Sequence, residues 1–99
     1  MRVIWTPEAS ETLISNIDYL LAEWGDHVAS EFLDRVDEVV NSIKLTPEIY
    51  PLLNKNDQIR RCVVVKQITL YFRVVSADQI YLLTFWNNFQ NPEFLKLKR

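Results

Sequence analysis

Glycine occurs once in these 99 residues, cysteine once and histidine once. With a single glycine there is no glycine-rich loop to cradle a phosphate. Cys62 alone cannot close an internal disulfide, and with His27 as the one imidazole no Cys/His cluster of zinc spacing exists. Stability must come from packing, and neither a metal nor a cofactor is expected. Long apolar runs are missing too: nothing approaches the roughly 18 uninterrupted apolar residues of a membrane span. The opening Met1-Arg2-Val3-Ile4-Trp5 also lacks the basic, apolar and small-residue regions of a signal peptide. The expectation is a cytoplasmic protein with no membrane contact.

What is present fits one hydrophobic core. An apolar share of 48% over 99 residues predicts a single domain spanning residues 1–99, since a second would be too small to stand alone. Charge is divided unevenly although the net value is only −2. Residues 1–50 carry Arg2, Arg35 and Lys44 against ten carboxylates, a net −7; residues 51–99 carry eight bases against Asp57, Asp78 and Glu93, a net +5. A basic half can meet an acidic peptide or a nucleic acid, while the acidic half opposes the general phosphate attraction behind non-specific nucleic-acid binding. Carboxylate-rich solvent faces on helices account for the asymmetry equally well.

Arg2 to Trp5 is β-favouring and stops at Thr6-Pro7-Glu8, where Thr can cap a helix, Pro suits its first position and Glu meets the positive dipole end. Ala9, Leu13, Ile17, Leu20 and Trp24 then recur at steps of three or four and predict an amphipathic helix ended by Gly25. Asp26 is a candidate cap for a second helix, with Ala29, Phe32, Val36, Val39 and Ile43 as its buried stripe, and so short a link makes the pair a hairpin. Thr46-Pro47 ends that helix, and Pro51 with Asn54 to Asp57 reads as an irregular link. Beyond it, β-branched and aromatic segments at Ile59 to Val65, Ile68 to Val75 and Ile80 to Trp86 predict a meander. Along the middle segment Ile68, Leu70, Phe72 and Val74 alternate with Thr69, Tyr71, Arg73 and Val75. The order β-α-α-β-β-β predicts an α+β fold, with a helical hairpin packed on one face of a mainly antiparallel four-stranded sheet. There is no internal repeat and no low-complexity tract.

Particular motifs run in a recognisable order. Ile4-Trp5-Thr6-Pro7-Glu8-Ala9, Ile17-Asp18-Tyr19-Leu20 with Trp24, Phe32-Leu33, and Ile43 before Pro47 occupy the first half. The second half holds Ile59-Arg60-Arg61-Cys62-Val63-Val64, then Lys66 to Val74, then Ile80 to Asn88 followed by Asn91-Pro92. Over nearly the whole chain this order and spacing resembles the RelE/ParE superfamily of type II toxins, nearest its ParE-like, plasmid-stabilisation branch.

The resemblance implies a toxin that stops growth, neutralised by a cognate antitoxin protein whose disordered arm folds as it binds. Two outcomes are known in the superfamily: ParE-like members inhibit DNA gyrase, and RelE-like members cut messenger RNA on the ribosome. RNA cleavage needs general acid/base groups and cations. Laid against the RelE-like pattern, the arginine position of the first meander strand falls near Val64, the basic segment after the last strand on Asn87-Asn88-Phe89-Gln90, and the terminal Tyr on Phe94. Phe exchanges no proton and Asn carries no charge. The resemblance therefore favours a gyrase-type binding toxin with no catalytic residues. A ribosome-dependent endoribonuclease with an altered basic set, or a degenerate member that keeps only antitoxin binding, is the alternative. Nucleic acid would be met only through the antitoxin or, for the nuclease, the ribosome; a homodimer is compatible with either.

Candidate target- or antitoxin-binding residues follow from strand geometry. Arg60 and Arg61 are neighbours in a strand and point to opposite faces. One of them joins Tyr71 and Arg73 on the polar face of the middle strand, with Lys66 in the turn before it; a salt bridge from Arg73 to a helix carboxylate is the alternative. Trp86, Asn87 and Asn88 end the last strand with amides that can bond a partner's backbone or cap a turn before Pro92. Lys96 and Lys98 interleave with Phe94, Leu95 and Leu97 in a tail that packs apolar residues while displaying bases. His27, in the first turn of a helix, reads as exposed or capping, and Cys62 as a small buried thiol with no adjacent His.

Overall fold

Thr6 both stops a strand and starts a helix: its Oγ1 accepts the Ala9 amide at 3.1 Å and donates to the Leu82 carbonyl at 2.7 Å. The computed structural model describes residues 1–90 and 94–97, and in it this cap joins β1 (Arg2–Trp5) to α1 (Pro7–Glu23). Gly25 then separates α1 from α2 (Asp26–Leu45) with φ +93° and ψ 174°, a conformation that L side chains enter only under strain. Asp26, expected as the cap, is instead the first residue of α2, where its carboxylate still meets the positive end of the helix dipole. A Cβ added at Gly25 would touch nothing within 4 Å. The cost of Gly25→Ala is therefore torsional, about 1–3 kcal/mol, and is expected as a lower urea midpoint at unchanged slope.

After a 3-10 turn (Pro47–Ile49) come β2 (Leu52–Asn54), β3 (Ile59–Val65), β4 (Ile68–Ser76) and β5 (Gln79–Asn87). The sheet order is β1-β5-β4-β3-β2, with β1 parallel to β5 and the other pairs antiparallel. The sheet thus has five strands where four were expected. The added one, β2, is three residues long and pairs only with Ile59 and Arg60, too short for alternation to mark it in sequence.

Both helices lie on one face, α1 over β5 and α2 over β3. Leu20, Phe32 and Ile43 meet Leu70, Phe72, Leu82 and Phe85 in the main core, each fully buried or nearly so. Burial of each such side chain is worth about 1.5–3 kcal/mol. Phe32 meets Phe85 edge-on at 6.0 Å, and Tyr50 meets Phe72 likewise at 5.8 Å. Trp24, expected to close the buried stripe of α1, is 39% exposed because the helix ends at Glu23. Its ring stacks on Phe89 and its Nε1 donates to the Tyr19 hydroxyl.

β1 accompanies β5 only as far as Leu82. Beyond that point the Phe85 amide donates to Thr12 Oγ1 at 3.0 Å, and its carbonyl accepts from Asn16 Nδ2 at 2.7 Å. Thr12 and Asn16 stand one turn apart on α1, so two helix side chains supply the bonds that a neighbouring strand would have made. No helix among the described residues is long and apolar enough to cross a membrane.

Candidate functional site

The side of the sheet away from the helices is assembled by register. Thr69 lies between Val63 and Trp86, Tyr71 between Arg61 and Thr84, and Arg73 between Ile59 and Tyr81. Directly opposed residues share a face, so these three rows form one surface. A bulge in β5, where Tyr71 faces Thr84 and Phe72 faces Leu82, turns Leu83 onto the same side. There Leu83 joins Ile59 and Tyr71 in a second, smaller apolar cluster, against which Tyr81, Trp86, Leu95 and Leu97 pack. The tail segment therefore docks on its own sheet and leaves Lys96 exposed.

Arg61 and Arg73 both belong to this outer face, and neither side chain has a hydrogen bond or ion pair among the described residues. The Nε of Arg73 is buried without a partner. A salt bridge from Arg73 to a helix carboxylate is not made: the ion pair that the described residues do show is Arg35–Glu38, at 2.6 Å on α2. The outer positions of β3, β4 and β5 hold arginine, tyrosine, threonine, tryptophan and aliphatic residues, with no carboxylate among them. Such a surface offers fixed positive charge and guanidinium donors to an anionic or carbonyl-rich partner. Beside it, Arg61, Val63, Thr69, Tyr71 and Asn88 line a cleft of about 530 Å³ that wraps round the edge of β3 to Arg35, Tyr50 and Cys62.

The other sequence candidates are distributed differently. Arg60 sits on the helix side, opposite Phe72, and its Nη1 donates to the Tyr50 carbonyl at 2.7 Å, tying the segment after α2 to the sheet. Lys66, in the β3–β4 turn, holds its Nζ 5.3 Å above the Trp24 ring. Asn87 is buried and accepts the Phe89 amide at 2.8 Å, a local turn cap. Asn88 donates to the Lys66 carbonyl and accepts from the Thr69 hydroxyl at 2.9 Å, clasping the β3–β4 turn to the end of β5. Trp86 is half-buried against the tail. Lys98 lies outside the described residues. The structure thus brings together Arg61, Tyr71, Arg73 and Trp86, and turns Arg60 and Asn87 to local bonds.

Arg35 was no sequence candidate, yet its Nε donates to the Val64 carbonyl at 3.3 Å and its side chain lines the cleft. Nothing in its neighbourhood on the helix distinguished it from a solvated base. His27 is exposed at the start of α2. Cys62 is buried on the helix side, and burial pushes its thiol above the ordinary value, opposed in part by a hydrogen bond from Tyr50 and the charge of Arg35. A raised folded pKa favours the protonated thiol, so this stabilisation is complete below the unfolded pKa and is lost as pH rises through the folded one. Alkylation of Cys62 at mildly alkaline pH is accordingly expected to run at least roughly tenfold slower in the folded than in the urea-unfolded chain, measured by thiol-probe absorbance.

The family described as "ParE toxin of type II toxin-antitoxin system, parDE" matches residues 3–92. Among curated proteins the sequence has no significant match. Among solved structures, the chromosomal ParDE toxin–antitoxin system of Pseudomonas aeruginosa aligns at 20% identity and a TM-score of 0.60, covering 88% of this chain and 95% of that one. A YoeB/ParE toxin from Agrobacterium tumefaciens aligns at 9% identity and a TM-score of 0.62, over 90% and 100%. A YoeB–YefM complex from Staphylococcus aureus gives 13% and 0.57, over 90% and 98%. At these identities the structures share the fold.

Proposed function

Since this chain belongs to the ParE toxin family of type II toxin–antitoxin systems, we propose that it arrests growth by binding an essential cytoplasmic target, DNA gyrase, with the cationic outer face of its sheet, and that a cognate antitoxin silences it. The observation that carries this reading is the pair Arg61 and Arg73, on the same outer face of the sheet, Arg61 exposed and Arg73 half-buried, with guanidiniums that have no partner among the described residues. An unpaired guanidinium beside tyrosine and tryptophan has the composition of binding hot spots, where Arg, Tyr and Trp dominate. The antitoxin partner is supported by relatives solved as the ParDE system and the YoeB–YefM complex. An antitoxin arm covering this surface would bury the same two charges and exclude the target by occupancy.

A second reading, ribosome-dependent RNA cleavage, draws on the same cations. It needs a proton donor and acceptor as well. The resemblance to RelE-like toxins puts the corresponding positions near Val64, on Asn87-Asn88-Phe89-Gln90 and on Phe94; Asn87 and Asn88 are engaged in turn bonds, and Phe94 is 72% exposed. Induced expression with and without the cognate antitoxin, followed by primer extension on cellular transcripts and a supercoiling assay with purified gyrase, separates the cases. The binding reading expects arrest, rescue by antitoxin, intact messages and inhibited supercoiling. Codon-phased cuts would overturn it in favour of the nuclease, and normal growth would assign the chain to antitoxin binding alone.

A further inference from the structure

The outer side of the helical hairpin carries a surface of its own. On α1, Thr12 and Asn16 reach the β5 edge while Ala9 and Leu20 face the core. Continuing round the helix at about 100° per residue comes Ile17, and then Ile14 and Leu21, on the flank turned towards α2. On α2, Arg35 reaches β3, so the opposite flank, bearing Leu33, turns towards α1. Three large apolar side chains are therefore placed along the groove between the helices, and they are not covered: Ile14 is 61% exposed, Leu21 45% and Leu33 44%. Ile14 and Leu21, seven residues apart, stand about 10.5 Å from one another along α1, and Leu33 lies across the hairpin between them.

Glu11 and Asp18 border this seam on α1, and Asp37 borders it on α2. The two helices together hold nine carboxylates against Arg35 and Lys44, and Arg35 is already committed to Glu38 and the Val64 carbonyl. An apolar stripe fenced by uncompensated negative charge specifies its occupant. We propose that the α1–α2 groove is a docking site, separate from the sheet face, for a cationic amphipathic helix of a partner protein. That helix would set Leu, Ile or Met at i, i+3 or i+4, and i+7 into the seam, with Lys or Arg on both flanks. A second copy of this chain does not fit, because hairpin against hairpin would bring two carboxylate fields together. The chain's own tail does not fit either, since Leu95 and Leu97 are seated on the opposite side of the sheet.

The test uses the full chain and three fluorescein-labelled peptides of about 18 residues, long enough for several helical turns. One has leucines at helical spacing with lysine flanks, one has the same composition scrambled, and one has glutamate flanks. Anisotropy should show the first binding roughly tenfold or more tighter than either control, with affinity falling as salt rises from about 50 to about 300 mM. Amide chemical-shift changes should fall on α1 and α2. Leu21→Ser and Leu33→Ser, both at exposed positions, should each weaken binding severalfold at an unchanged melting temperature, and sheet-face substitutions should leave it intact. Equal binding of the scrambled peptide, shifts confined to the sheet face, or a dimer in sedimentation that is dissolved by Leu21→Ser would overturn the proposal.

Discussion

Arg73→Ala is expected to reduce toxicity, and Arg61→Ala combined with it to abolish growth arrest, while the domain still melts cooperatively within about 1 kcal/mol of the parent. The stability side of this expectation rests on what the two guanidiniums do not do. Neither has a bond or ion pair to lose among the described residues, and the Arg73 Nε is a buried donor without a partner. Such a donor costs about 1–3 kcal/mol, so truncation removes a penalty while forfeiting the packing of the side-chain stem against Ile59 and Tyr81. The two effects oppose one another. The binding side carries no such compensation: each charge-assisted hydrogen bond to a target contributes about 1.5–3 kcal/mol, so losing two lowers affinity by roughly two to four powers of ten. Growth curves over a series of inducer concentrations, beside thermal melts of the purified variants, measure both. Full arrest in the double variant would move the target surface elsewhere, and loss of cooperative melting would give Arg73 a structural role.

Phe32→Ala should be among the most damaging single truncations in the core, at about 3–5 kcal/mol. That is a large part of the roughly 5–15 kcal/mol that holds a domain of this kind together. Phe32 is fully buried and edges onto Phe85, the residue whose amide and carbonyl are held by Thr12 and Asn16. The cavity would open where α1, α2 and β5 meet, and rigid elements on all sides limit how far it can collapse. Calorimetry should show a melting temperature lower by on the order of 15 °C. A shift of only a few degrees would mean that the neighbouring side chains refill the space.

Both predictions use positions that periodicity picked out beforehand, and the reason is physical. Helix and strand stripes are set by backbone geometry, so Ala29, Phe32, Val36, Val39 and Ile43 could be placed in a core, and Tyr71 and Arg73 on one side of β4, without any knowledge of their partners. The Thr6 cap and the Gly25 break were legible because each depends on a local conformation that few residue types favour. Features that depend on long-range company were not. β2 exists only because β3 passes beside it, and Trp24, past the end of α1, has as its ring partners Phe89 and Lys66 from distant parts of the chain. Strand alternation placed Arg60 and Arg61 on opposite sides but could not say which side faced the helices. The Tyr50 carbonyl decides that for Arg60. Asn88 likewise gave the sequence an exposed amide, and the fold spends it on the β3–β4 turn.

The two bonds from α1 to Phe85 bear on how this molecule can recruit other chains. A strand that ran free along the far half of β5 would present unpaired amides to any extended segment in reach, the usual route to domain exchange and fibril growth. Thr12 and Asn16 have already filled those valences at Phe85, so this half of β5 is closed to an incoming strand. Incoming strands are left with the four-residue edge of β1 on that side and, on the other, with the border where β2 is short and β3 outruns it, and Thr12→Val with Asn16→Leu would be the change that lengthens the first of these along β5.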